Sequence, residues 1–330
     1  MEYRELGTSE IDVSRIAMGL WAISEDDTWG PQDEAQSIDA IHAAIDEGIT
    51  YFDTAEAYGR GYSEEVLGKA IDGYDREDLV LSTKVWRANL RPADLREACT
   101  ASLERIGTDY IDVYHVHWPN HDLPLEETID TLRELREEGT IRTVAVSNFG
   151  QADLTDLLEL ERPVTNQLPY SLLWRAIEHD IRDLCLDHDV GITAYSPLAQ
   201  GLLVGRWDTP EDVPEGRAQT RWYSSDRPAT DHDEPGVEAE TFEAIDEIRG
   251  ICADAGVSTV HAALAWVLSR PGVDTVLVGG RSPEEIRDSA RAVDLELGSD
   301  MLEELTRVTD ELKETLGPNP DMWLSDSRYR

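Results

Sequence analysis

Lysine is nearly absent from this chain. Only three lysines accompany 26 arginines among its 330 residues. One of the three, Lys84, ends the apolar run Leu79–Lys84, which is typical of a buried strand. Because a surface charge is not expected at such a place, we expect Lys84 to be present for its chemistry.

Cysteines and long apolar runs are also scarce. The three cysteines, Cys99, Cys185 and Cys252, are far apart and odd in number, so they indicate neither a disulfide framework nor a metal site. No apolar run approaches the length of a membrane-spanning helix, and the first residues lack the basic and apolar regions of a leader peptide. We therefore expect a soluble, cytoplasmic protein without a bound metal.

Positive charge is in short supply overall. Acidic residues number 69 against 29 basic ones, which gives a net charge of −40. This field repels nucleic acid and anionic membrane surfaces, so neither is an expected partner. The acids are spread along the chain, and this favours adaptation to a salt-rich cytoplasm (a halophilic protein), where a Debye length of roughly 3 Å screens their repulsion. An acidic protein of an ordinary cell is the alternative.

The chain does contain a regular alternation of short apolar runs and helical patterns. Eight runs predict strands: Arg15–Met18, Thr50–Asp53, Leu79–Lys84, Tyr110–His117, Thr143–Ser147, Val164–Gln167, Ile192–Ser196 and Thr275–Val278. Helices are predicted between them: Gln36–Glu47, Ser63–Ile71, Ala93–Ile106, Glu126–Glu138 and Glu178–His188. This order predicts an α/β fold, a single (β/α)₈ TIM barrel spanning residues 1–330.

Two further segments have predicted roles in this barrel. Tyr3–Val13 has the pattern of an N-terminal β-hairpin and is expected to plug the N-terminal end of the barrel. Asp208–Val237 breaks the alternation, with four prolines, many acids and the aromatic residues Trp222 and Tyr223. A segment of this length is expected to be a lid over a ligand, with an acidic surface loop as the alternative.

Chemistry is indicated at the ends of three successive strands. Asp53, Lys84 and His117 end the second, third and fourth predicted strands, and Tyr58 follows the second. The carboxyl ends of barrel strands form one rim, so these side chains converge there. A nearby ammonium lowers the pKa of a phenol from ~10, and a carboxylate keeps that ammonium charged. Each residue alone also has a structural reading as a turn, cap, rim or packing residue; the combination favours a proton-donating Tyr58.

These residues and their neighbours resemble the aldo-keto reductase superfamily, and the resemblance runs from Leu6 to about Leu312. The motifs that carry it are Phe52–Gly59, Ser63–Gly68, Thr83–Lys84, His117–Pro119, Gly139–Arg142, Val146–Phe149, Asn166–Gln167 and Ala194–Leu203. The chain looks closest to the prokaryotic branch with general-stress reductases and potassium-channel β-subunit-like proteins. The resemblance implies that Tyr58 is the general acid in carbonyl reduction, tuned by Asp53 and Lys84, and that His117 orients the carbonyl.

The resemblance also implies NADP(H), or else NAD(H), held without a Rossmann fold. Ser147, Asn148 and Gln167 match the positions that hold the carboxamide, and Tyr195 matches the ring that stacks on the nicotinamide. The positions that match the pyrophosphate turn are Ser196, Leu198 and Gly201. Those near the adenosine end are Gly279, Arg281, Glu285 and Ser289. Arg281 favours the 2′-phosphate of NADP, whereas a carboxylate at Glu285 favours NAD.

Four tryptophans lie in predicted rim loops. Trp21, Trp29, Trp86 and Trp118 are expected to line a substrate pocket, with core packing as the alternative for each. The expected function is NADP(H)-dependent reduction of a small-molecule aldehyde or ketone to an alcohol. The alternatives are an NAD-dependent sugar or alcohol dehydrogenase and a cofactor-sensing regulatory subunit.

Overall fold

Eight parallel strands form a closed barrel at the centre of this computed structural model, which describes residues 1–24 and 28–330. In chain order the barrel strands are β3 (Ile16–Gly19), β4 (Tyr51–Asp53), β5 (Val80–Val85), β6 (Ile111–Val116), β7 (Ile141–Ser147), β8 (Thr165–Pro169), β9 (Gly191–Tyr195) and β10 (Val273–Gly279). Each strand pairs with its neighbours in this order, and β10 closes the barrel against β3. The prediction of a (β/α)₈ barrel is confirmed, and no predicted strand boundary is displaced by more than two residues.

The first two strands form the expected hairpin. β1 (Tyr3–Glu5) pairs in antiparallel register with β2 (Asp12–Ser14). Leu6, Ile11 and Val13 are buried against the barrel interior, where they pack with residues such as Tyr51 and Val80 near the starts of strands. Because these side chains fill the N-terminal end of the barrel, the open end is the rim formed by the carboxyl ends of the strands.

Helices cover the outside of the barrel. They are α1 (Glu34–Asp46), α2 (Tyr62–Ile71), α3 (Pro92–Ile106), α4 (Leu125–Glu137), α5 (Gln151–Leu158), α6 (Ile181–Asp187), α7 (Glu238–Ala255), α8 (Thr259–Leu268), α9 (Pro283–Ala290), α10 (Ser299–Arg307) and α11 (Asp310–Leu316). The helix predicted from Glu178 begins only at Ile181, because Ala176–Glu178 forms a separate 3₁₀ turn. Within the described residues no single helix is long and apolar enough to cross a membrane, while α7 and α8 meet that test only as a pair bent by 99°.

The segment 208–237 has two unlike halves. Its first half contains two short 3₁₀ turns, Pro210–Asp212 and Glu215–Arg217, and is largely exposed. In its second half Trp222 is buried, donates its indole N–H to the Leu173 carbonyl at 3.1 Å and packs edge-on against Trp174. The second half is therefore part of the packed structure.

After α11 the chain returns across the rim as an irregular segment, residues 317–330, which we call the arm. Met322 and Tyr329 of the arm are buried, and Trp323 is half-buried. The arm lies beyond Leu312, where the sequence resemblance ends, so its position next to the strand ends was not predicted.

Candidate active site

Lys84 lies at the centre of the polar groups on the rim. Its ammonium is completely buried and donates to Asp53 Oδ2 at 2.5 Å, to the Thr54 carbonyl at 2.8 Å and to the Tyr58 hydroxyl at 3.3 Å. β4 and β5 are adjacent parallel strands, so their carboxyl ends bring Asp53 and Lys84 together. All three donors of the ammonium are used, and one of them points at the phenol oxygen.

The carboxylate of Asp53 is held as firmly as the ammonium. Its Oδ1 accepts from Ser82 Oγ and from Gln167 Nε2, both at 2.9 Å. Burial lowers the pKa of Lys84, while the charge and hydrogen bond of Asp53 act to raise it. The buried ammonium is therefore stable only as part of this network, and the network fixes its direction toward Tyr58.

His117 faces the phenol from the next strand. Its ring lies edge-on to Tyr58 with centroids 5.7 Å apart and edge-on to Trp86 at 5.3 Å. Burial, together with the charge of Lys84, holds the pKa of His117 well below its usual range, so the imidazole is neutral at pH 7. A neutral imidazole can orient a substrate oxygen without competing with Tyr58 as a proton donor.

His115 lies two residues earlier in β6 and is completely buried. Its Nδ1 lies 3.2 Å from Ser82 Oγ, and burial lowers its pKa to about 3. The structure places this residue beneath the rim, within the barrel.

A cavity of about 600 Å³ extends from these groups across the rim. Every residue predicted for catalysis, cofactor binding or substrate binding lines it, except Lys84, which lies beneath Tyr58. Asp53 at the end of β4 and His117 after β6 line one part of it, and Gly279 at the end of β10 lines another part together with Arg281 and Glu285. Because β6 and β10 lie on opposite sides of the closed barrel, the cavity spans the rim between them.

The turn after β9 has an unusual backbone. Ser196, Ala199 and Gln200 all have positive φ angles, of 53°, 50° and 54°. Left-handed backbone at residues other than glycine is costly, and it persists where the surroundings require it, often at binding sites. This turn contains Ser196, Leu198 and Gly201, the positions matched to a pyrophosphate turn.

Gln200 was not predicted as a site residue, although it lies within the motif Ala194–Leu203. It lines the cavity and is 8% exposed, and neither its Oε1 nor its Nε2 has a hydrogen-bond partner within the described structure. An unsatisfied buried amide needs an explanation, and a polar ligand in the cavity would provide one. The orphaned amide and the strained turn fit a bound nucleotide cofactor.

Arg281 and Glu285 are already engaged at the other end of the cavity. The Arg281 guanidinium donates to Gln32 Oε1 at 2.7 Å and to the carbonyls of Trp29 and Pro31. Glu285 accepts the Arg281 backbone N–H at 2.9 Å and pairs with Arg206 at 2.5 Å. Glu285 is therefore neutralised by an arginine, which weakens the repulsion of a phosphate expected from its sequence position.

The guanidinium of a third arginine, Arg217, lies near those of Arg206 and Arg281. Arg217 is 4.4 Å above the ring of Trp29 and lines the same part of the cavity. Burial, together with the charges of Arg206 and Arg281, lowers the pKa of Arg217. Arg206, Arg217 and Arg281 line this part of the cavity together with Glu285 and Asp288, and the three guanidinium groups offset the negative charge of these two carboxylates.

The arm contributes residues that the sequence reading missed. Trp323, Leu324 and Arg328 line the cavity. Trp323 is nearly parallel to Tyr195 at 6.5 Å between centroids and edge-on to Trp118 at 6.2 Å. The arm thus closes the side of the cavity between the predicted nicotinamide and substrate positions.

Comparison with known proteins identifies the family to which this fold is similar. The aldo/keto reductase family model matches residues 15–310. The chain is 33% identical to aldo-keto reductase YhdN of Bacillus subtilis, covering 96% of this chain and 97% of that protein. It is 33% identical to an NADH-specific methylglyoxal reductase of Escherichia coli, covering 88% and 93%. A solved aldo/keto reductase of Klebsiella pneumoniae in complex with NADP and acetate superposes with a TM-score of 0.72 at 32% identity, covering 91% and 93%.

Proposed function

The chain belongs to the aldo/keto reductase family, and from that premise we propose that it is an NADP(H)-dependent reductase of aldehydes and ketones with Tyr58 as the general acid. The observation that carries the proposal is the placement of the Lys84 ammonium between the Asp53 carboxylate at 2.5 Å and the Tyr58 hydroxyl at 3.3 Å. A phenol that accepts a hydrogen bond from an ammonium keeps its own proton free to donate.

The residues have distinct tasks in the proposed reaction. When bound, the reduced nicotinamide supplies the hydride that adds to the carbonyl carbon. Tyr58 gives its proton to the carbonyl oxygen, which becomes the alcohol, and the resulting phenolate is stabilised by Lys84. Asp53 holds Lys84 in place, and neutral His117 orients the substrate oxygen.

Three parts of the cavity would each receive one part of a single bound cofactor. Ser147, Gln167 and Tyr195 would receive its nicotinamide end, and the turn from Ser196 to Gly201 would receive its pyrophosphate. Arg217 and Arg281 would supply positive charge for a 2′-phosphate at the far end. Because Arg206 neutralises Glu285, we favour NADP(H) over NAD(H).

The substrate would lie beside Tyr58 and His117, between aromatic walls. Trp86 and Trp118 border this part of the cavity, together with Trp323 of the arm, while Trp21 stacks beside Tyr58 with centroids 6.3 Å apart. Such a surface favours a small carbonyl compound with an apolar or aromatic body.

The first half of the segment 208–237 is the part that we propose as a lid. Arg217 in this half lines the cavity, whereas Trp222 in the second half is fixed in the packed structure. Closure over the cofactor would exclude water and slow cofactor release. Replacing Arg217 by Ala should therefore speed NADPH release in stopped-flow measurements, and an unchanged release rate would count against the lid.

A titration tests the cofactor assignment. Purified protein in molar KCl would be titrated with NADPH and, separately, with NADH, and tryptophan fluorescence would be recorded, since five tryptophans line the cavity. We expect tight binding of NADPH and weaker binding of NADH, followed by turnover of an aldehyde such as 4-nitrobenzaldehyde. Binding of neither nucleotide would overturn the proposed function.

A second candidate is an NAD-dependent dehydrogenase acting on a sugar or alcohol. Glu285 in the cavity is the observation in its favour, because a carboxylate accepts a ribose hydroxyl and repels a 2′-phosphate. Tighter binding of NADH than of NADPH, with faster alcohol oxidation than carbonyl reduction, would support this candidate. Turnover by the isolated protein in either direction would count against a purely regulatory subunit.

A further inference from the structure

The arm is anchored on both sides of the residue that reaches the site. Asp321 is completely buried and forms a two-oxygen ion pair with Arg328 at 2.7 Å. Further along the arm, the Arg330 carbonyl accepts the backbone N–H groups of Ala152 at 2.8 Å and Asp153 at 3.1 Å, in the first turn of α5. These anchors hold the intervening Tyr329 against the end of β7.

Tyr329 makes a direct contact with a residue predicted to bind the cofactor. Tyr329 is 6% exposed, and its ring lies edge-on to Trp118 with centroids 5.4 Å apart. Its hydroxyl donates to Asn148 Oδ1 at 2.6 Å. The Tyr195 hydroxyl donates to the same oxygen at 2.9 Å. One amide oxygen therefore links the arm to the Tyr195 ring at the end of β9.

The Asn148 amide has no remaining hydrogen-bonding capacity. Besides the two phenols on Oδ1, its Nδ2 donates to the His117 carbonyl and to Ser147 Oγ, each at 3.0 Å. A side-chain amide offers two donors and two acceptor sites, so all four are in use. Rotation of the amide would break several buried hydrogen bonds, so Asn148 fixes the Ser147 hydroxyl and the Tyr195 ring in place.

We propose that Tyr329 is a positioning residue of the cofactor site. Through Asn148 it holds Ser147 and Tyr195 in the arrangement that receives the nicotinamide end of the cofactor, and this inference rests on the proposed function. Asn148 then acts as a link between the barrel and the arm, while Ser147 and Tyr195 make the contacts with the ligand. Docking of the arm and affinity for the cofactor are consequently coupled.

The phenol hydroxyl alone is tested by Tyr329→Phe. We expect NADPH to bind roughly fivefold more weakly, which corresponds to one hydrogen bond of about 1 kcal/mol. The cofactor KM should rise by the same factor, while kcat and the carbonyl KM stay within about twofold, because Tyr58, Lys84 and Asp53 are unchanged. The matched control is Tyr170→Phe, which also removes a 2.6 Å phenol hydrogen bond, to Glu178, but away from the cavity lining.

A double-mutant cycle with Asn148→Ala tests the route of the effect. If Tyr329 acts through Asn148, Tyr329→Phe should weaken NADPH binding in the native background and have no further effect beside Asn148→Ala. Additive effects would overturn the inference, as would NADPH affinity that is unchanged in Tyr329→Phe or reduced equally in Tyr170→Phe. Binding of neither nucleotide by the native protein would overturn the proposed function itself, so the two failures are distinguishable.

Discussion

At the scale of single residues, the site depends on a lysine that could not be stable alone. Burial disfavours the charge of Lys84, whereas the 2.5 Å contact with Asp53, the hydrogen bonds to Thr54 and Tyr58 and the charge of Glu64 favour it. Such a network is expensive to maintain for stability alone, because an apolar side chain of similar size would fill the same space. A charged lysine held next to the Tyr58 phenol is the arrangement that a proton-transfer site requires.

Replacing Tyr58 by Phe removes the proposed proton donor and leaves the ring in place. We expect kcat for carbonyl reduction to fall by roughly 10²- to 10⁴-fold, the usual contribution of a general acid. NADPH affinity should stay within about twofold, since the hydroxyl is not part of the proposed cofactor contacts. NADPH consumption measures the first quantity and fluorescence titration the second.

The control for this change is Tyr62→Phe, which alters a half-buried phenol on α2 that donates to Glu34. Its turnover should equal that of the native protein. Full turnover in Tyr58→Phe would contradict the assignment of the general acid, and loss of NADPH binding would show that the variant damages the site more broadly.

His115 should make the stability of the protein depend on pH. Its folded pKa, lowered to about 3 by burial, is below the unfolded value of ~6.5. As the pH falls below ~6.5 the unfolded state takes up the proton first, so stability present at neutral pH is progressively lost. Between pH 7 and pH 5 the loss attributable to this residue is about 2 kcal/mol.

Urea denaturation at pH 7 and pH 5 measures this effect. His115→Gln, which cannot titrate, should lose about 2 kcal/mol less of its free energy of unfolding between the two pH values than the native protein loses. His188→Gln, at an exposed position, is the control and should behave as the native protein does. An equal pH dependence in His115→Gln and the native protein would contradict the assignment.

At the scale of elements, local sequence patterns predict the position of a strand and the residues at its end. They do not predict which residues from distant parts of the chain pack against that strand. The eight strands follow from apolar runs, and Asp53, Lys84 and His117 follow from the ends of those runs. In contrast, Tyr329 contacts Asn148 across 181 positions, and Arg281 contacts Gln32 across 249. Hydrophobic periodicity carries no information about such long-range contacts. The position of the arm and the hydrogen bond between Arg281 and Gln32 are therefore seen only in the folded structure.

Gly150 lies where the arm packs closely against the start of α5. Its backbone φ of −76° suits any residue, yet a Cβ there would lie 2.5 Å from the Arg330 carbonyl oxygen and 3.0 Å from Tyr329 Cβ. Gly150→Ala should therefore push the arm away from α5 rather than distort the barrel. We expect faster hydrogen exchange in residues 321–330 and a loss of roughly 1–3 kcal/mol in the free energy of unfolding.

Gly298→Ala is the matched control, because Gly298 also has a negative φ and has open space around its Cβ position. Its hydrogen exchange in the arm should equal that of the native protein. If Gly150→Ala leaves exchange in residues 321–330 unchanged, the close packing of the arm on α5 is not what keeps it docked.

At the scale of the whole molecule, the net charge of −40 is the dominant property. Many of the acids are exposed, and many of the arginines already take part in ion pairs such as those of Arg96 with Glu134 and Glu138. The remaining repulsion opposes folding and is screened as the Debye length falls from ~10 Å at 0.1 M salt to ~3 Å at 1 M. We propose that this charge is an adaptation to high salt.

Thermal unfolding in increasing KCl tests that proposal. The Tm should rise between 0.1 M and 2 M KCl, by roughly 1–2 °C for each kcal/mol gained. A paired variant separates charge screening from other effects of salt: Glu303→Gln with Glu304→Gln neutralises two exposed acids of α10, neither of which forms an ion pair within the described residues. This variant should exceed the native Tm at 0.1 M KCl and lose the advantage at 2 M. A constant difference at both salt concentrations, or a native Tm that does not rise with KCl, would show that self-repulsion does not limit the stability of the fold.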